Sequence, residues 1–148
     1  MIWTLKIECD WRSYLKDDWI RVIEMDSETS LYDLHLFIQK IVDFDNDHLF
    51  EFFAGRHNRN RKIEFAGDSW EQGYENAYGE YEELIIEQIF PLPKYLKLFY
   101  HFDFGDDWYF KITRTRKKPF EPEKVVKYPR VIEEIGSNPQ QYPSYDED

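Results

Sequence analysis

Between Phe102 and Trp108 the chain reads Phe-Asp-Phe-Gly-Asp-Asp-Trp, which crowds Asp103, Asp106 and Asp107 around Gly105. Carboxylates this close can gather a hard cation through their oxygens, with His48 or Glu51 completing the shell, and a cation so held could activate water for hydrolysis of a phosphate ester. The same residues also make a good turn. In that reading Gly105 supplies an unusual backbone angle, the Asp side chains bond turn amides, and Trp108 seals the core. His35 and His48 add a second possibility, because paired neutral imidazoles ligate transition metals. The candidate set for a divalent cation is therefore His35, His48, Asp103 and Asp106. Their spacing matches no zinc signature, and a histidine on an apolar helix stripe is more often a hydrogen-bonded core residue than a ligand. No other cofactor is expected.

Other chemistries find less support. Cys9 alternates with core residues on its strand, and no serine sits in a Gly-x-Ser-x-Gly elbow, so nucleophilic catalysis lacks its parts. Asp103-Phe104-Gly105 matches a kinase tripeptide, yet the chain has neither a Gly-rich phosphate loop nor a His-Arg-Asp loop. Two basic stretches could touch nucleic acid: Arg56, Arg59, Arg61 and Lys62, then Lys111, Arg114 and Arg116 with Lys117 and Lys118. The formal net charge of -11 opposes that, since binding to phosphates gains its free energy from counterion release. Without a recognition helix or a zinc frame, both stretches read as solvated edges or loops. From Ile63 to Pro93 every charged residue is acidic, so the molecule is expected to carry faces of opposite sign.

These groups need elements to hold them. Trp3, Leu5, Ile7 and Cys9 alternate with Thr4, Lys6 and Glu8, the pattern of a half-buried strand, and Trp19 to Met25 repeats it as an antiparallel partner. Ser30 is a candidate N-cap for a helix in which Leu31, Leu34, His35, Ile38, Ile41 and Val42 recur at helical spacing and Asp33 holds the third position. Asp45 to Asp47 reads as its exit turn. Residues 48 to 53 form an aromatic strand ending at Ala54 and Gly55, and 62 to 66 form a short one. Residues 67 to 83 make a long acidic excursion, and 84 to 90 fit a strand or a helical turn equally. Residues 95 to 103 and 108 to 116 are two strands joined by a tight turn at 104 to 107. The chain from 119 to 148 is rich in proline and is expected to run over the surface as a partly irregular segment with its last few residues loose. The result is one α+β domain over 1–148, an antiparallel sheet packed against one main amphipathic helix.

Phe99 to Trp108 resembles the Tyr-x-Tyr-Asp-Phe-Gly-Asp-x-Trp signature of the plasmid pRiA4b ORF-3-like family. Trp19 to Ile23 is similar to that family's Trp-Arg-Arg-Ile strand, Thr29 to His35 to its Thr-Leu-x-x-Leu-His helix start, and Asp47 to Phe52 to its Asp-x-His-Leu-x-x-Phe segment. Four blocks in order cover about residues 3 to 116. After Pro129 the pattern departs, since the family's Pro-Pro-Glu-Asp-Cys-Gly-Gly stretch is replaced by Gly136-Ser137-Asn138-Pro139. The resemblance implies an α+β fold and an association with plasmids and mobile elements, and it implies no reaction.

A single cysteine, no leader-like start and no apolar run near 18 residues point to a cytoplasmic chain that does not span a membrane. The functional expectation is a non-enzymatic module that binds a protein partner, with metal-assisted hydrolysis and weak nucleic-acid binding as the alternatives.

Overall fold

The structure, a computed structural model, describes residues 1–11, 17–67 and 84–141. Alternation and β-branched or aromatic content set seven strands: β1 (Ile2–Trp11), β2 (Ile20–Asp26), β3 (Phe50–Gly55), β4 (Ile63–Gly67), β5 (Lys97–Phe102), β6 (Trp108–Arg114) and β7 (Arg130–Ile135). They form one sheet in the order β4-β3-β5-β6-β1-β2-β7, with every neighbouring pair antiparallel. One α-helix, α1 (Leu31–Val42), and a short 3-10 turn at Ile86–Gln88 complete the regular structure among the described residues. The fold is α+β in this broad sense.

The helix begins where the sequence says it should. Ser30 is extended and its hydroxyl accepts the Asp33 N–H at 3.1 Å, while Asp43 ends the helix in the left-handed region and returns its N–H to the carbonyls of Gln39 and Lys40. Leu31, Leu34, Ile38 and Val42 are fully buried and share one apolar cluster with Leu5, Ile7 and Ile23 of the first hairpin and with Tyr100, Trp108 and Phe110. Burying a side chain of this kind contributes about 1.5 to 3 kcal/mol. Rings dominate the cluster: Phe44 meets Trp108 edge-on with centroids 4.8 Å apart, and Trp19 meets Phe110 at 5.4 Å.

Register assigns each residue a face. Phe50 lies opposite Phe102, and Phe52 opposite Tyr100, on the face that receives His35. One residue out of step, Glu51 lies opposite His101, which lies opposite Tyr109, so this row points the other way. Beside it Phe53 pairs with Phe99, both buried, their rings stacked at 5.4 Å. β3 and β5 therefore bury aromatic side chains on both faces.

Several elements differ from the sequence reading. Residues 84 to 90 resolve into an isolated bridge from Ile85 to Ser30 followed by the 3-10 turn. β3 runs on through Gly55, where an added Cβ would lie 1.5 Å from the Asn60 carbonyl oxygen; that close return of the β3–β4 loop is what requires glycine. β6 is an interior strand between β5 and β1, so Lys111 and Arg114 do not sit on a sheet edge. The acidic excursion lies mostly outside the described residues. The strand that the sequence reading did not give is β7, inside the stretch expected to be partly irregular. Its sequence Arg-Val-Ile-Glu-Glu-Ile lacks alternation and its residues are largely exposed. Its place depends instead on the ladder to β2 and on Arg21, whose guanidinium donates to the carbonyls of Ile135 and Gly136 at 3.0 and 2.9 Å. Asn138 adds to the clasp by accepting from the Trp19 indole at 2.8 Å.

Gly136 has φ 86, and a Cβ there would lie 1.8 Å from the Asp18 carbonyl oxygen. Gly136→Ala is expected to destabilise the protein by roughly 2 kcal/mol and to speed amide exchange across 130–135 before the rest of the sheet. Exchange mass spectrometry reads this directly, and unchanged protection of that strand would contradict the clasp.

Candidate functional site

The aspartate-rich turn is built from the inside. The Asp103 N–H donates to the Leu49 carbonyl at 2.9 Å, and its Oδ1 accepts the N–H groups of Gly105 and Asp106 at 3.2 and 3.1 Å. The Asp107 N–H returns to the Asp103 carbonyl at 2.6 Å. Asp103 and Asp107 occupy the left-handed region, with φ 62 and 57, and Gly105 does not. A Cβ on Gly105 would meet only Asp103 Oδ1, at an ordinary 3.5 Å. The expectation that Gly105 supplies the unusual angle is thus corrected. Aspartate tolerates that conformation and bonds nearby amides, so two aspartates take over the role assigned to glycine. Trp108 follows the turn and is fully buried.

His48 faces this turn, its Nε2 3.4 Å from Asp103 Oδ2 and 3.7 Å from Asp47 Oδ1. Together with Asn46, Phe104 and Gly105 these residues line an open hollow of about 680 Å³. His35 belongs elsewhere. It is buried, stacked on Phe50 with centroids 3.7 Å apart, and both of its nitrogens are bonded: Nδ1 to the Tyr100 hydroxyl at 2.5 Å and Nε2 to Asn46 Oδ1 at 2.7 Å. Gln39 donates to the same hydroxyl at 2.9 Å and accepts the Asn46 N–H at 3.0 Å. Since Asn46 Oδ1 can only accept, Nε2 carries the proton and Nδ1 accepts from Tyr100. Among the described residues no three His, Cys, Asp or Glu side chains converge to hold a metal ion. Of the set His35, His48, Asp103 and Asp106, the structure brings His48 to Asp103 and holds His35 in the interior with both of its nitrogens bonded.

Glu51 and Asp107 do meet, through a residue that sequence reading passed over. The His101 ring lies between them, Nδ1 2.6 Å from Glu51 Oε2 and Nε2 2.7 Å from Asp107 Oδ1. It is sandwiched by Tyr109 at 4.2 Å, nearly parallel, and by Phe104 at 4.7 Å. Arg61 reaches in from the β3–β4 loop, pairs with Glu51 and lays its guanidinium 4.5 Å over the Phe53 ring. Burial pushes the Glu51 carboxyl up, and the bonds from His101 and Arg61 outweigh that, leaving it below its usual range. Two protons shared among one imidazole and two carboxyls make both His101 bonds. His101 and Asp107 fill the two variable positions of the family signature, and only the pairing of β3 with β5 brings Glu51 to them.

Arg56, Arg59, Arg61 and Lys62 belong to the loop between β3 and β4, whereas Lys111 and Arg114 lie on β6 and Arg116 beyond it. Arg61 is tied to Glu51, Lys111 to Glu8 at 3.3 Å, and Arg114 covers the Trp3 ring at 3.8 Å.

A seven-stranded antiparallel sheet with one α-helix and an aspartate turn between its central strands defines an α+β class. Within it, the family described as plasmid pRiA4b ORF-3-like protein matches residues 3–141, and the chain belongs to that family. A crystal structure of a protein of unknown function from Methanosarcina mazei Go1 has a similar fold, with a TM-score of 0.66 and 21% identity over 90% of this chain and 68% of that one. No curated protein matches significantly. No helix among the described residues is long and apolar enough to cross a membrane.

Burial holds His35 down, from 6.5 to about 4, against a smaller opposing effect of its bond to Asn46. Between those values the unfolded chain binds a proton that the folded chain refuses. Stability is therefore expected to fall as pH drops through that window, by up to about 3 kcal/mol. Denaturant melts of the natural chain and His35→Gln at neutral pH and near pH 5 should show a shallower loss in the variant; equal losses would remove His35 as the cause.

Proposed function

We propose that this chain is a non-enzymatic protein-interaction module, a single domain working in the cytoplasm of cells that carry plasmids or mobile elements. One observation carries the reading: both imidazoles in the interior, His35 and His101, have both ring nitrogens bonded to protein groups. A general base or a metal ligand needs a nitrogen available to substrate, water or cation. Asp103, the most buried carboxylate of the turn, likewise commits Oδ1 to two backbone amides. These groups act as internal joints, and the work is left to the surface. The family name supports the link to plasmids.

Incubation of the purified chain with an aryl phosphate ester and magnesium, manganese or zinc is expected to give no turnover above buffer, and crosslinking in cells to give a protein partner at fixed stoichiometry. Turnover that disappears in Asp106→Asn would contradict the proposal.

A further inference from the structure

Immediately before β5 the chain makes an abrupt turn. The Leu96 N–H donates to the Pro93 carbonyl at 3.1 Å, closing a four-residue turn whose third residue, Tyr95, has φ 71. That position favours glycine or asparagine, and a bulky aromatic residue there is strained. Tyr95 gains no burial in exchange, being 70% exposed. A fold selected for stability alone would not place a tyrosine there, and such outliers concentrate where a ligand is held.

The turn forms one wall of a hollow of about 340 Å³, floored by Leu98 and Ile112 with Leu92 at its side, and rimmed by Lys94, Lys97 and Arg114. That volume is at the small end for a binding pocket, enough for an anchoring side chain. Among the described residues no acidic side chain lines it. Arg61, Lys111 and Arg130 all sit against carboxylates, but Lys94, Lys97 and Arg114 make no ion pair among the described residues. Lys94 and Arg114 lie instead over the rings of Tyr95 and Trp3, at 5.0 and 3.8 Å. On a chain of net charge -11, three cations without carboxylate partners around an apolar hollow mark a local reversal of sign.

We propose that this hollow receives an extended acidic segment of a partner protein, one apolar side chain entering beside Tyr95 and flanking carboxylates meeting Lys94, Lys97 and Arg114. The inference rests on the interaction-module reading and gives it a surface and a ligand chemistry. A nucleic acid fits less well, because a continuous phosphate backbone would extend past three cations onto a strongly acidic protein.

The test uses the full chain and two short synthetic peptides, one with a tryptophan flanked by glutamates and one with glutamines in their place. Fluorescence anisotropy should show binding of the glutamate peptide, weakened at least about tenfold by the glutamine exchange, by Lys97→Glu and by Tyr95→Gly, a loss typical of truncating an interface anchor. Tyr95→Gly should at the same time raise Tm, since it relieves the turn, which separates lost binding from lost folding. Equal binding of the two peptides, unchanged binding by the variants, or binding of a single-stranded oligonucleotide in place of the glutamate peptide would overturn the proposal. If a partner crosslinked in cells is recovered equally by Tyr95→Gly, the hollow is excluded while the module reading survives; if no partner is recovered and neither peptide binds, both fall.

Discussion

Burying polar side chains in an interior packed with rings demands hydrogen-bond partners, and the two networks that meet this demand around His35 and His101 organise the protein. An unpaired polar group in such a place costs about 1 to 3 kcal/mol, a large share of a domain's net stability. On one face of the sheet the answer is the chain of Gln39, Tyr100, His35 and Asn46, which joins α1 and its exit turn to β5. On the other it is Arg61, Glu51, His101 and Asp107, which joins the β3–β4 loop to the turn between β5 and β6. The first network closes on itself, the second runs in a line from Arg61 to Asp107, and both fix the placement of neighbouring rings.

The proposed function rests on that pairing. On that proposal, residue types that suggest catalysis in a list of side chains serve as joints, with both nitrogens of His35 and of His101 bonded and Asp103 capped by amides. Residues that look unremarkable in the sequence, such as Tyr95, Lys94 and Lys97, are left at the surface without an internal duty.

Sequence periodicity revealed the helix and the β5–β6 hairpin because both are local: the Ser30 and Asp33 cap and the Leu31 to Val42 stripe lie within one segment, and the turn residues lie between two ring-rich runs. Long-range register was invisible. Glu51 meets His101 only because two strands far apart in the chain pair one way rather than one residue displaced, and a single-residue slip would put the two side chains on different faces. His101 was missed for that reason, and His35 and His48 were placed together because proximity in the chain stood in for a geometry it could not supply. Gly105 misled by type, since the left-handed positions fell to Asp103 and Asp107. β7 was missed because its stability comes from a backbone ladder and from Arg21, neither of which leaves an apolar period to read.

The claim beneath this account is that the His35 imidazole is a joint whose protonation its bonds and its burial fix. Nitrogen NMR of the His35 ring, followed as the sample is acidified, tests it most directly. The account predicts a neutral ring protonated at Nε2 that persists until pH about 4. A ring that becomes imidazolium near the ordinary value of about 6.5, or that carries its proton on Nδ1, would contradict it.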